Sequence, residues 1–172
     1  MGGEWPEEAK GLAINELELL ALTAAAYQWG PLWARKRLIT TCDNMASVIC
    51  VNKGSVRSAP MMVVMRDLFQ AACRHGFQLR AQWISTHLNT AADAISRGDM
   101  AKFYTFARDV LRVASPKQVQ PVYNVDGAIR RMQKARRGEA RRRKLQARHR
   151  GGRGACDELF QVVSAAVDSA AA

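Results

Sequence analysis

The 172-residue chain carries 48% hydrophobic residues, enough for one packed domain of ordinary size plus an extension. Lys and Arg outnumber Asp and Glu 26 to 15, and the excess is uneven: residues 1–113 hold 13 basic against 10 acidic side chains, residues 114–172 hold 13 against 5. No apolar run is long enough to span a membrane, and Met1–Lys10 lacks the basic and apolar regions of a signal peptide. Cys42, Cys50, Cys73 and Cys156 show no metal-ligand spacing, which argues against a zinc site. A reducing intracellular compartment, nucleus or cytoplasm, is expected, and not secretion. A near-neutral globule followed by a strongly positive segment points to a polyanionic partner, nucleic acid before a membrane surface.

Residues 1–11 read as a polar lead-in. Ile14, Leu17, Ala21, Ala24 and Ala25 recur at three- and four-residue spacing and predict a helix from Ile14 to Trp29, stopped by Gly30-Pro31. Leu38–Cys42 is a short β-prone run, and Asp43-Asn44 ends it and can cap a helix over 44–53 that Gly54 closes. A second long helix is predicted from Pro60 to His75, with Met61, Val64, Met65, Leu68, Phe69 and Ala72 on one face. Phe77, Leu79, Ala81, Trp83 and Ser85 alternate with mostly polar neighbours, which predicts a strand. Short helices over Asn89–Arg97 and Asp99–Val113 follow. Strands separated by helices favour a parallel pair in an α/β layer.

Three carboxylates stand out. Glu18 sits among Ile14, Ala21, Leu22 and Ala25 at helical spacing, either buried for a purpose or at the edge of the apolar face. Asp43 lies at the carboxyl end of a strand, where α/β proteins bind ligands, but also where an aspartate can simply cap a helix. Asp93 lies early in a helix after the second strand, and a first-turn acid there also suits the helix dipole. Together they form the hard oxygen set that Mg²⁺ or Mn²⁺ takes.

In order and spacing these residues resemble a known family. Asn15-Glu16-Leu17-Glu18-Leu19-Leu20-Ala21 looks like the N-x-x-E-L-x-A helix of type 1 ribonuclease H domains, and Cys42-Asp43-Asn44 with Ala46 and Val48 looks like their strand end. His87-Leu88-Asn89-Thr90-Ala91-Ala92-Asp93-Ala94-Ile95-Ser96-Arg97 is close to the H-x-N-x-x-A-D-x-L-S-R signature of retroelement ribonuclease H domains. With Trp29-Gly30-Pro31, the combination is most similar to DIRS-type reverse transcriptases, over about residues 4–97.

The resemblance implies two-metal hydrolysis of the RNA strand of an RNA·DNA hybrid, with Glu18, Asp43 and Asp93 as the second, third and fourth catalytic and metal-binding carboxylates. Asn44 and Asn89 are candidate substrate contacts, Asn89 lying one helical turn before Asp93 and able to orient it instead; Arg57, with Ser55 and Ser58, follows the second helix and either contacts phosphates or forms a solvated turn. His87 reads as a loop histidine rather than a proton carrier. The family's first-strand Asp has no counterpart, since only Met-Gly-Gly precedes Glu4. The expectation is therefore an α/β, ribonuclease H-like remnant lacking the first three strands. It would bind metal weakly, be inactive alone, and need an upstream reverse transcriptase segment or complementing chain.

The division expected is a globule over 1–113, a linker over 114–126 between Pro116 and Pro121, and a basic, Ala-rich tail over 127–172, partly helical or disordered. Arg130, Arg131, Arg136, Arg137, Arg141, Arg142, Arg143 and Lys144 are its candidate nucleic-acid contacts. A non-catalytic nucleic-acid-binding protein acting through this tail is the alternative reading.

Overall fold

The structure, a computed structural model, describes residues 5–113 and 122–170, with side chains through residue 147. It is a mixed α/β chain: helices α1 (Ile14–Trp33), α2 (Met45–Lys53), α3 (Ala59–His75), α4 (Thr90–Ser96), α5 (Met100–Asp109) and α6 (Val125–Ala170), with strands β1 (Arg37–Cys42) and β2 (Gln78–Trp83). The strands form a two-stranded parallel sheet, in register from Arg37 opposite Gln78 to Cys42 opposite Trp83. The ladder extends at both ends, where Gln78 N–H donates to the Lys36 carbonyl and Ile84 N–H to the Cys42 carbonyl.

The helix termini carry the residues that their orphan backbone groups demand. Asn44 caps α2 through Oδ1, which accepts from Ala46 and Ser47 N–H, and Ser58 caps α3 just before Pro60. Gly54 and Gly76 close the same two helices at φ 66° and 67°, the left-handed conformation that glycine adopts without strain. At α1 the cap residue is Ala13, and Glu16 instead reaches back to accept from the Ala13 N–H at 2.8 Å.

Two expectations about α1 need correction. The helix does not stop at Gly30-Pro31 but runs to Trp33. Pro31 removes one i→i−4 bond, and the helix ends two residues beyond it; Gly30 lets the His75 ring pack against the helix, since a Cβ there would sit 2.4 Å from His75 Cδ2. The buried face is also rotated from the one expected. Glu16, Leu19, Leu20, Thr23 and Ala24 point inward, while Ile14 is 67% exposed. Thr23, fully buried, satisfies its hydroxyl by donating to the Leu19 carbonyl.

The core joins that face to Met61, Val64, Met65, Leu68 and Ala71 of α3, to Val48, Cys50 and Val51 of α2, and to Phe77 and Ala81. Trp33 meets Phe77 edge-on, with ring centroids 5.5 Å apart. Tyr123, Ala128, Ile129 and Met132 belong to the same core. Compact packing accordingly divides the chain after Gln133, not after residue 113, and the second unit spans Lys134–Ala172. The start of the expected tail is therefore part of the globule. Residues 114–121 of the expected linker lie outside the described residues. Among the described residues, no helix is long and apolar enough to cross a membrane.

Candidate functional site

Glu18 projects from the edge of the buried face of α1 toward the carboxyl end of β1. Its Oε2 accepts from the Ser47 hydroxyl at 3.2 Å and from the Cys42 thiol at 3.6 Å. Ser47 is itself buried in the first turn of α2, so α1, β1 and α2 converge on one carboxylate. Partial burial pushes the Glu18 carboxyl above its ordinary range, the donors oppose that rise, and the neighbouring Asp43 charge reinforces it. Cys42 is pushed up as well, chiefly by burial and to a smaller extent by the Glu18 and Asp43 charges, so its thiol stays a protonated donor.

Asp43 stands where β1 turns into α2, the place the sequence suggests. It does not cap the helix, because Asn44 does. Its carboxylate is half-buried and has no hydrogen-bond donor among the described residues, while its backbone carbonyl accepts from the Trp83 indole at 3.1 Å. Two carboxylates, one lacking donors and both repelling each other, suit a hard cation chemically. The protonated thiol of Cys42 does not serve as a ligand to such an ion.

Asp93 has a different attachment. It lies in α4, and Arg97 Nε donates to its Oδ1 at 2.7 Å, an i,i+4 ion pair within the same short stretch. Asn89 precedes α4 without a side-chain capping bond, and only its carbonyl meets the Asp93 N–H. Among the described residues no three His, Cys, Asp or Glu side chains are grouped to hold a metal ion. The structure thus sets Glu18 against Cys42 and Ser47 at the corner that carries Asp43, and leaves Asp93 with Arg97. Arg57 is exposed in the loop between α2 and α3, and His87 is exposed in the turn Thr86–Leu88.

The basic residues of α6 also separate. Arg130 is exposed on the first turns, and Arg131 pairs with Asp67, which also accepts from the Tyr123 hydroxyl. Arg143 pairs with Glu139 at 2.6 Å. Arg137, Arg141, Arg142 and Lys144 are exposed, and Arg136 is half-buried. Sequence reasoning missed Ser47 and Cys42 as partners of Glu18. The signal available was their place one residue before Asp43 and four after it, which puts both beside any group at that corner. It also missed the Asp67–Tyr123–Arg131 contact, which joins residues far apart in the chain. Comparison with known proteins finds no matching family model, no matching curated protein and no matching solved structure.

Proposed function

We propose that the globule is a retroelement-type ribonuclease H-like domain whose Glu18 and Asp43 hold a divalent cation against a phosphodiester of an RNA·DNA hybrid. The observation that supports this reading is that Glu18 accepts from Cys42 and Ser47 at the β1–α2 corner, where Asp43 follows Cys42 directly and Asn44 takes over the cap. The ordered resemblance of three motifs supports it too. Mg²⁺ or Mn²⁺ bound there would polarise the phosphodiester and activate a water. The protein's own part is positional: Ser47 and Cys42 donate to Glu18 and fix its rotamer, and Asn44 stiffens the corner that carries Asp43. Asp93 would join the ion after release from Arg97, with Asn44, Asn89 and Arg57 toward substrate.

Two carboxylates are a weak ligand set. A further one would come from an upstream reverse transcriptase segment or a complementing chain, paired along the edge of β1 that β2 leaves free. The polypeptide alone is therefore inactive. Hybrid substrate incubated with the chain and Mg²⁺ or Mn²⁺ should show no turnover, while Mn²⁺ binding by the chain should be weak and lost in Asp43→Asn. Turnover that Asp43→Asn abolishes would disprove the inactivity; Mn²⁺ binding indifferent to Asp43→Asn would disprove the metal site.

A second reading is nucleic-acid binding without chemistry, through α6. The observation favouring it is that Lys134, Arg137, Arg141 and Lys144 are exposed and have no acidic partner among the described residues. Binding of this kind weakens steeply with salt and survives EDTA.

A further inference from the structure

The basic residues of α6 between Lys134 and residue 147 are not equivalent. Arg143 Nη2 donates to Glu139 Oε1 at 2.6 Å on one side of the helix. Lys134, Arg137, Arg141 and Lys144 follow at spacings of three, four and three. At 3.6 residues per turn this keeps all four within an arc of about 80°, advancing about 5 Å along the axis from one charge to the next. Four like charges in a row about 15 Å long repel one another, and none is neutralised by a partner among the described residues.

Gly138 lies beside the same row. A glycine inside a helix costs about 1 kcal/mol relative to alanine. Nothing in the fold requires it, since a Cβ added there would meet no atom within 4 Å. It faces outward, and Lys134, Arg137, Gly138 and Arg141 line an open, shallow depression on the helix surface.

Resting on the nucleic-acid reading of α6, we infer that this seam is a docking surface for the sugar–phosphate backbone of a nucleic acid duplex. Gly138 admits the backbone close to the helix, and Lys134, Arg137, Arg141 and Lys144 face successive phosphates. Charge complementarity sets the occupant. A membrane-surface helix needs a broad apolar face beside its basic one. Between Lys134 and residue 147 the one large exposed apolar side chain is Leu145, and the side opposite the seam carries Glu139 and Arg143.

The test is fluorescence anisotropy of the full chain with a short labelled duplex, as DNA and as RNA·DNA hybrid, at salt concentrations from about 50 to 200 mM. Each duplex phosphate contact contributes about 0.9 to the slope of log K against log salt. Lys134→Gln with Arg141→Gln should lower the magnitude of that slope by about 2, whereas Arg142→Gln with Arg143→Gln removes the same charge and should leave it nearly unchanged. Gly138→Leu, which keeps every charge, should weaken binding as well. Equal slope losses in the two double variants would overturn the seam while leaving nucleic-acid binding intact. No binding of the unmodified chain to either duplex would overturn the underlying reading, as would seam-dependent binding to phosphatidylserine vesicles alone.

Discussion

The carboxamide of Asn52 on α2 pairs with both backbone polar groups of Ala81: its Nδ2 donates to the Ala81 carbonyl at 2.8 Å, and the Ala81 N–H donates to its Oδ1 at 2.9 Å. In this parallel ladder Gln78 and Ile84 turn their N–H groups toward β1, so Ala81 faces the other way, along the outer edge of β2. One side chain thereby occupies the bonds that a further strand would make, and closes that edge. The outer edge of β1, carrying the backbone of Arg37, Ile39 and Thr41, has no such plug among the described residues, and Ile39 is 72% exposed.

Asn52→Ala should therefore destabilise the globule by about 1–3 kcal/mol, the cost of leaving two backbone groups of a strand without partners. Asn52→Asp keeps the acceptor but sets a carboxylate oxygen against the Ala81 carbonyl, and should cost at least as much. Urea unfolding of the three proteins checks the order. Equal midpoints would mean that water replaces the carboxamide without loss.

Glu18 makes stability fall with rising pH. Its folded carboxyl is raised above the ordinary 4.5, so the native state holds more protons than the unfolded chain between those two values. The contribution is complete below about pH 4.5 and is lost as pH rises through the higher folded value. Glu18→Gln, which keeps the acceptor for Ser47 and cannot ionise, should raise the thermal midpoint at pH 7 and give no gain near pH 4. Mg²⁺ or Mn²⁺ should stabilise the unmodified protein at pH 7 and leave Glu18→Gln unmoved. A gain that is the same at both pH values would remove ionisation as its cause.

Tyr123 anchors the start of α6 to α3. Its hydroxyl donates to Asp67, its ring lies 4.8 Å from that of Tyr27, and the residue is 7% exposed. Burial, followed by the Asp67 carboxylate, pushes the phenol far above its ordinary range, so it remains a donor at all working pH. Tyr123→Phe keeps the ring contact and should cost about 1.5–3 kcal/mol, the range for a hydrogen bond to a charged group. Arg131→Ala, whose side chain is 50% exposed, should cost under about 1 kcal/mol. Hydrogen exchange at Ile129 and Met132 should lose protection in Tyr123→Phe more than in Arg131→Ala. The reverse order would shift the anchor from the phenol to the ion pair.

What the sequence made legible follows from local signals. Leu38–Cys42 and the alternation through Trp83 are strands, Asn44, Ser58, Gly54 and Gly76 bound their helices, and the strands are parallel because two helices separate them. The phase of α1 was hidden because Leu and Ala occur on every side of it, so several faces fit the same periodicity equally well. The core role of Ile129 and Met132 was present as an apolar i,i+3 pair but was obscured by the surrounding arginines. At the β1–α2 corner, the strand-end position of Asp43 was readable locally, and Glu18 lies at the edge of the apolar face, one of the two places its spacing left open. The hold of Arg97 on Asp93 is legible as an i,i+4 pair of opposite charge inside the motif itself.

Asn44 and Asp43 offer the sharpest separation of a structural from a chemical role at this corner. Asn44 Oδ1 accepts from two N–H groups of α2, at 3.0 Å from Ala46 N and 3.3 Å from Ser47 N, so Asn44→Ala should cost about 1 kcal/mol of stability. Asp43 contributes no cap and lies beside the Glu18 carboxylate, so Asp43→Asn should leave stability unchanged or slightly raised at pH 7. The two variants should differ in the opposite sense for Mn²⁺ binding, which Asp43→Asn abolishes and Asn44→Ala weakens only as far as it loosens the corner. If Asp43→Asn proves the more destabilising of the two, the carboxylate is part of the framework of the strand–helix turn and the case for a cation there falls with it.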